Sequence, residues 1–243
     1  MLVRGGERIF ATGMSGIVVG MLTDGLGLRL AMRISTLAAG PTVRGRLTEN
    51  GYVIGALTVE GTGFLVLAGG AFGLVSALVY LLVGHWLPRS GWRRRLAFAG
   101  LLVALVGGLL IDPNNRDFTE LEPRLLNVAM FAMLPVPFAL VLPGAVEWLA
   151  RLRLPRVLAV GAALVGWSGL AMVTVMVGLG GPGLTVVAAV AVLLAIFGTL
   201  AAGRRPAWLG GQAVMISGRT VIVAVAVAAF VGLVRDAARI VTA

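Results

Sequence analysis

Asp24 is the costliest residue of this sequence by type and position. It lies within an apolar run, Ile9–Ile34, long enough to cross a bilayer. A carboxylate in hydrocarbon persists where it is paired, protonated or at work. Two readings follow. The side chain carries a proton or binds a cation, or it is a structural acid held by hydrogen bonds between helices. Arg29, five positions on, lies about 140° around a helix from Asp24 and does not share its face. Arg219 is the other charge inside an apolar run. Counted from Ile9 and Ala213, Asp24 sits ~22 Å and Arg219 ~9 Å along helices that start on the same side. That mismatch sends Arg219 to the nearer interface, with its stem in the apolar layer and its guanidinium in water.

Arg29 and Arg33 are spaced i, i+4 and form one helical stripe. With Glu60, Asp112 and Asp117 they fall at the same ends of the first three apolar runs, where they should converge near the outer membrane face. Two guanidiniums there could hold a lipid phosphate or an anionic substrate. Alternatively, the five charges form an ion-paired network that fastens the outer segments to the bundle. The stretch Asp112–Glu122 is rich in oxygen ligands. Arg116 occupies the third ligand position of a D-x-N-x-D pattern and repels a cation, so no metal is expected. Turn formation and helix capping explain the run better, with Asp117 and Glu120, or Thr119 and Glu122, as a capping box for the following helix.

Pro135, Pro137 and Pro143 interrupt one apolar run. They form either a hinge beside a substrate pathway or a static kink packed by neighbouring helices. Gly13-Met-Ser-Gly16 and Gly166-Trp-Ser-Gly169 resemble the G-x-S-G of rhomboid intramembrane proteases. That dyad needs a histidine on a later helix, and the one histidine, His85, precedes Ser168. No catalytic residue is assigned.

The rest of the inventory narrows the chemistry further. There is no Cys and no Lys, and all 20 basic residues are Arg. Thiolate metal sites, iron–sulfur clusters, Schiff-base lysines and Walker phosphate loops are therefore excluded, and no cofactor is expected.

Positioning these residues falls to an unusually apolar scaffold. Of 243 residues, 59% are hydrophobic and 12% charged, and the mean hydropathy is +1.00. Soluble domains carry about 25% charged residues, so the pattern is that of a polytopic, all-α transmembrane bundle. Seven spans are predicted: Ile9–Ile34, Gly61–Leu87, Leu96–Ile111, Leu125–Leu149, Val157–Leu179, Leu184–Ala201 and Ala213–Val234. The first is the weakest, and a shorter helix followed by an interfacial segment is its alternative. Glu7 spoils the basic region of a cleaved signal peptide.

Arginine placement sets the topology. Nine arginines, at 89, 93, 94, 95, 151, 153, 156, 204 and 205, lie on one side of spans two to seven, against four at 116, 124, 235 and 239. The first side is read as cytoplasmic, which puts the N-terminus inside and the C-terminus outside. The net charge of +10 then reflects topology and lipid headgroups, and nucleic acid is not an expected partner.

Residues 35–60 form an outer segment. Thr42–Thr48 and Tyr52–Thr58 flank Glu49-Asn50-Gly51, a spacing that predicts a β-hairpin. The connection 112–124 is outer and acidic. Gly16–Gly20 and Gly69–Gly73 have the small-xxx-small spacing that lets helix backbones approach closely. Gly178–Gly183 predicts a tight turn between spans five and six.

Three stretches resemble a group of actinobacterial multi-pass membrane proteins that have no assigned activity. They are Leu28–Arg33, Gly45–Gly51 running into Gly61–Leu65, and Asp112–Phe118 followed by Leu126–Val128. The likeness covers about the first 60% of the chain, and Glu60 departs from it, because the group has a small residue there. It implies a bacterial plasma-membrane location. Together these features predict a single integral membrane domain over 1–243. The leading role is a non-enzymatic accessory or assembly subunit that binds membrane lipids and other membrane subunits or copies of itself. The alternative is a small transporter or channel-like protein using Asp24 and the proline-broken fourth span.

Overall fold

The computed structural model describes residues 2–152, apart from 44, 49, 50, 52, 55 and 90, together with residues 212–242. Spans five and six and the Gly178–Gly183 turn lie outside the described residues.

The chain is mostly helical. It opens on α1 (Leu2–Gly20), passes without a break through a π-helical turn (Met21–Gly25) and continues as α2 (Leu26–Ala39). This run of 38 residues is ~57 Å long at 1.5 Å per residue, so span one extends as unbroken helix beyond both of its predicted ends. Among the described residues, three helices are long and apolar enough to cross a membrane. They are α3 (Val59–Val83), the stack of α7 (Arg124–Met133) on α8 (Pro135–Arg151), and α9 (Gln212–Thr242) over Met215–Thr242. Between α3 and α7 the chain makes α4 (Gly91–Leu102), a second π-helical turn (Val103–Gly107), α5 (Gly108–Leu110) and α6 (Arg116–Thr119). Span three is thus a shorter helix with a π insertion.

Close approach of α1 and α3 organises the bundle. A Cβ added to Gly16 or Gly20 would collide with Gly73, and one added to Gly69 would collide with Gly25. Gly16 and Gly20 are four apart and share a face, but Gly25 is five beyond Gly20. In α geometry those five residues turn about 500°, which would swing Gly25 roughly 140° off the contact. A π turn accommodates one extra residue, and Gly25 returns to α3, where an added Cβ would stand 2.7 Å from the Cα of Val66. The π turn therefore keeps three glycines facing one helix. Asp24, buried at 8% exposure, is carried in that turn.

The main core lies where α1, α3, α4 and α8 meet. Ala77, Phe98, Phe138, Ala139 and Leu142 are fully buried there. A second cluster joins Phe118, Val128 and Ile111 to Leu233 and Ile240 of α9. In the proline-rich run α7 ends at Met133 and α8 begins at Pro135, with Pro137 exposed. Pro135 takes the first position of α8, where its missing N–H would have no partner in any case. Leu134 N–H reaches back to Phe131 O at 3.3 Å, and Pro135 and Pro143 are both buried.

The predicted outer hairpin is reduced to a turn. Pro41–Val43 is 3-10 helix, and a single antiparallel bridge, Leu47 to Val53, forms. Gly51 has φ +77° and its N–H meets Thr48 O at 2.9 Å. This is the positive-φ geometry expected at Asn-Gly, but no strand extends from it among the described residues.

Candidate functional site

At the Glu60 end of α3, the α2 stripe, the 45–57 segment and the 112–127 connection enclose a cavity of about 220 Å³. Arg29, Arg33 and Asp117 line it. These are three of the five outer charges that the sequence placed together. Glu60 and Asp112 do not join them. Glu60 is exposed in the first turn of α3, where its charge complements the helix dipole. Thr58 Oγ1 caps that helix by accepting Gly61 N–H at 3.1 Å. Asp112 is also exposed, and its Oδ1 accepts from Asn114 N (2.8 Å) and Asn114 Nδ2 (3.1 Å). It closes an Asx turn.

Arg29 is half-buried, and its Nη2 donates to Ala56 O at 2.8 Å, which ties the 45–57 segment to α2. Its Nε is enclosed and has no acceptor. Arg33, one turn on, is exposed on the same wall. The floor is apolar, with Leu28, Phe64, Leu65, Phe118 and Phe131 among its residues. Asn127 is 1% exposed and donates from Nδ2 to Leu121 O at 2.7 Å, while its Oδ1 is buried without a partner. The sequence reading passed over Asn127. A lone Asn in the apolar run 125–149 was the signal that could have flagged it.

The ion pair seen between the two loop segments involves other residues than those five outer charges. Arg46 reaches Glu120 at 4.0 Å, with both side chains more than half exposed, a contact of small energetic weight. Capping of the outer connection works through Asn115 Oδ1, which accepts Asp117 N at 2.8 Å, and through Glu122 Oε2, which accepts Arg124 N at 3.2 Å. No grouping of metal-ligating side chains occurs among the described residues.

Asp24 does not line the cavity. Its hydrogen bond is with Thr23, whose Oγ1 lies 3.3 Å from Oδ1 and 2.8 Å from Val19 O. No cation pairs with it among the described residues. Arg219 goes elsewhere, its Nε donating to Trp86 O at 3.2 Å beyond the far end of α3. At that same end Arg94 Nη2 donates to Gly84 O at 3.1 Å, and its guanidinium stands 5.0 Å from the centre of the Tyr80 ring. Ser15 is buried in the helix pair, and His85 is exposed in the turn after α3. They do not make a dyad, and Ser168 lies outside the described residues.

Comparison of the chain with protein-family models, curated proteins and solved structures finds no match.

Proposed function

We propose that the chain is a seven-span protein of a bacterial plasma membrane, N-terminus inside, that serves as a non-enzymatic accessory or assembly subunit for lipid and protein partners. The observation that carries this reading is the division of the molecule into a tightly sealed helix pair and a separate, largely apolar cavity with two arginines in its wall, which Asp24 does not line. A carrier built on Asp24 needs a hydrated route to that carboxylate. Here Asp24 rides in the π turn that presses Gly25 against α3. The cavity holds charges suited to binding. The likeness to actinobacterial multi-pass proteins and the one-sided arginine distribution support the location and orientation.

The transporter reading retains one favourable observation, since π insertions often mark functional sites and the buried acid sits in one. A liposome assay separates the two. With a pH-sensitive dye inside, the reconstituted protein should give no proton flux, and extraction from native membrane in mild detergent should yield a species heavier than one chain. A flux that vanishes in Asp24→Asn would overturn the subunit role and establish the carrier.

A further inference from the structure

The cavity beside Arg29 and Arg33 is too apolar for a water-soluble anion and too cationic for a plain hydrocarbon chain. Arg29 is the half-buried cation of its wall: Nη2 donates to Ala56 O, and the enclosed Nε has no acceptor among the described residues. A charge held away from water is costly unless it is neutralised. An anionic oxygen on the occupant would give Arg29 Nε the acceptor it lacks among the described residues. Arg29 and Arg33 lie one helical turn apart, and guanidinium forks suit the two free oxygens of a phosphodiester. Beneath these groups the wall turns apolar through Leu28, Phe64 and Phe131. The volume, about 220 Å³, accommodates a head and the first carbons of its chains, with the remainder left in the bilayer. α3, which forms part of the wall, is itself long and apolar enough to cross that bilayer.

We infer that this cavity is a binding site for one anionic phosphodiester lipid, with the phosphate held by Arg29 and Arg33 and the glycerol-proximal carbons on the Phe64–Phe131 floor. The inference rests on the membrane-subunit reading above and names the lipid that the subunit would hold.

The test is native mass spectrometry of the full chain released from vesicles of equal parts phosphatidylglycerol and phosphatidylcholine, with soluble glycerol 3-phosphate in a parallel arm. The intact protein should retain one phosphatidylglycerol at least tenfold over phosphatidylcholine, and glycerol 3-phosphate should fail to displace it. The double variant Arg29→Gln/Arg33→Gln should lose that preference, while Arg29→Lys/Arg33→Lys keeps part of it. Arg33→Gln alone, at an exposed position, should reduce it severalfold even if the double variant fails to fold. Ala56→Phe, which adds bulk at the lining without altering charge, should lower retention of both lipids. Equal retention of the two lipids, a preference unchanged in Arg33→Gln, or displacement by glycerol 3-phosphate would each overturn the assignment. A chain that co-purifies with partners but shows no lipid preference loses this inference alone. A chain that prefers phosphatidylglycerol but conducts protons through Asp24 loses the subunit reading alone.

Discussion

The two ends of α3 use arginine in opposite ways. Past Val83, Arg94 and Arg219 turn onto the backbone carbonyls of Gly84 and Trp86, and Arg94 also faces the Tyr80 ring. Those cations satisfy orphan carbonyls at a helix C-terminus and interact favourably with its dipole. Gly218 lets the Trp86 indole lie directly against α9, where an added Cβ would collide with it. Around Glu60, by contrast, Arg29 makes one backbone bond and, with Arg33, lines a cavity. The same residue type closes one end and leaves the other able to receive a ligand. What differs is the backbone each set meets. One is a helix C-terminus with free carbonyls, and the other is an N-terminus already capped by Thr58 together with a loosely paired turn.

The largest effect should come from breaking the strut that joins the two ends. Gly20→Leu drives a side chain into Gly69 and Gly73, and the helix pair must separate. Overpacking usually costs about 1–3 kcal/mol, and backbone-to-backbone contact leaves no flexible neighbour to yield. The variant should lose its cooperative melting transition in detergent. Gly63→Ala, with open space around it, should instead match or exceed the parent by up to ~1 kcal/mol. Equal destabilisation of the two would remove the glycine contact as the organising feature.

Next in size is Arg94→Ala at the closed end. It strips a hydrogen bond from Gly84 O and a cation from the Tyr80 face, together worth about 1–3 kcal/mol. Thermal melting should register the loss, with lipid retention unchanged. Arg33→Ala, exposed at the cavity end, should do the converse. If Arg33→Ala proves the more destabilising, the contrast between the ends is lost.

Much of this arrangement was legible in the sequence. The spacings Gly16–Gly20 and Gly69–Gly73 announced a close helix contact, and the two runs do abut. Arg29, Arg33 and Asp117, grouped from the sequence by their places at the ends of apolar runs, line one cavity. The π turn was not legible, since Gly25 fits the contact face only after one residue is absorbed, and heptad or α periodicity places it on the wrong side. The hairpin was overestimated because Asn-Gly reports a turn but not the ladder around it, and a lone two-stranded ribbon is marginal. Glu60 and Asp112 were wrongly drawn into the site. Charge and position suggested convergence, but a helix N-terminus and an Asx turn gave each a local role.

Smaller effects sharpen the picture. Asp24→Asn preserves shape and hydrogen-bonding capacity in a turn where Asp24 has no cationic partner among the described residues, so melting should shift by less than about 1 kcal/mol equivalent. Loss of folding would show that the carboxyl oxygens are structurally required. Smallest is Arg46→Ala, which removes a 4.0 Å contact between exposed side chains. It should change stability by no more than about 1 kcal/mol, and less at high salt.

The central claim is that the cavity end of α3 faces outward and the arginine-closed end faces the cytoplasm. The chain contains no cysteine, so single-cysteine labelling with a membrane-impermeant thiol reagent in intact cells tests this directly. Asn115→Cys, in the cavity lining, should label, and Ser90→Cys, in the arginine-rich connection before α4, should react only after the cells are opened. Labelling of Ser90→Cys but not Asn115→Cys in intact cells would contradict the account.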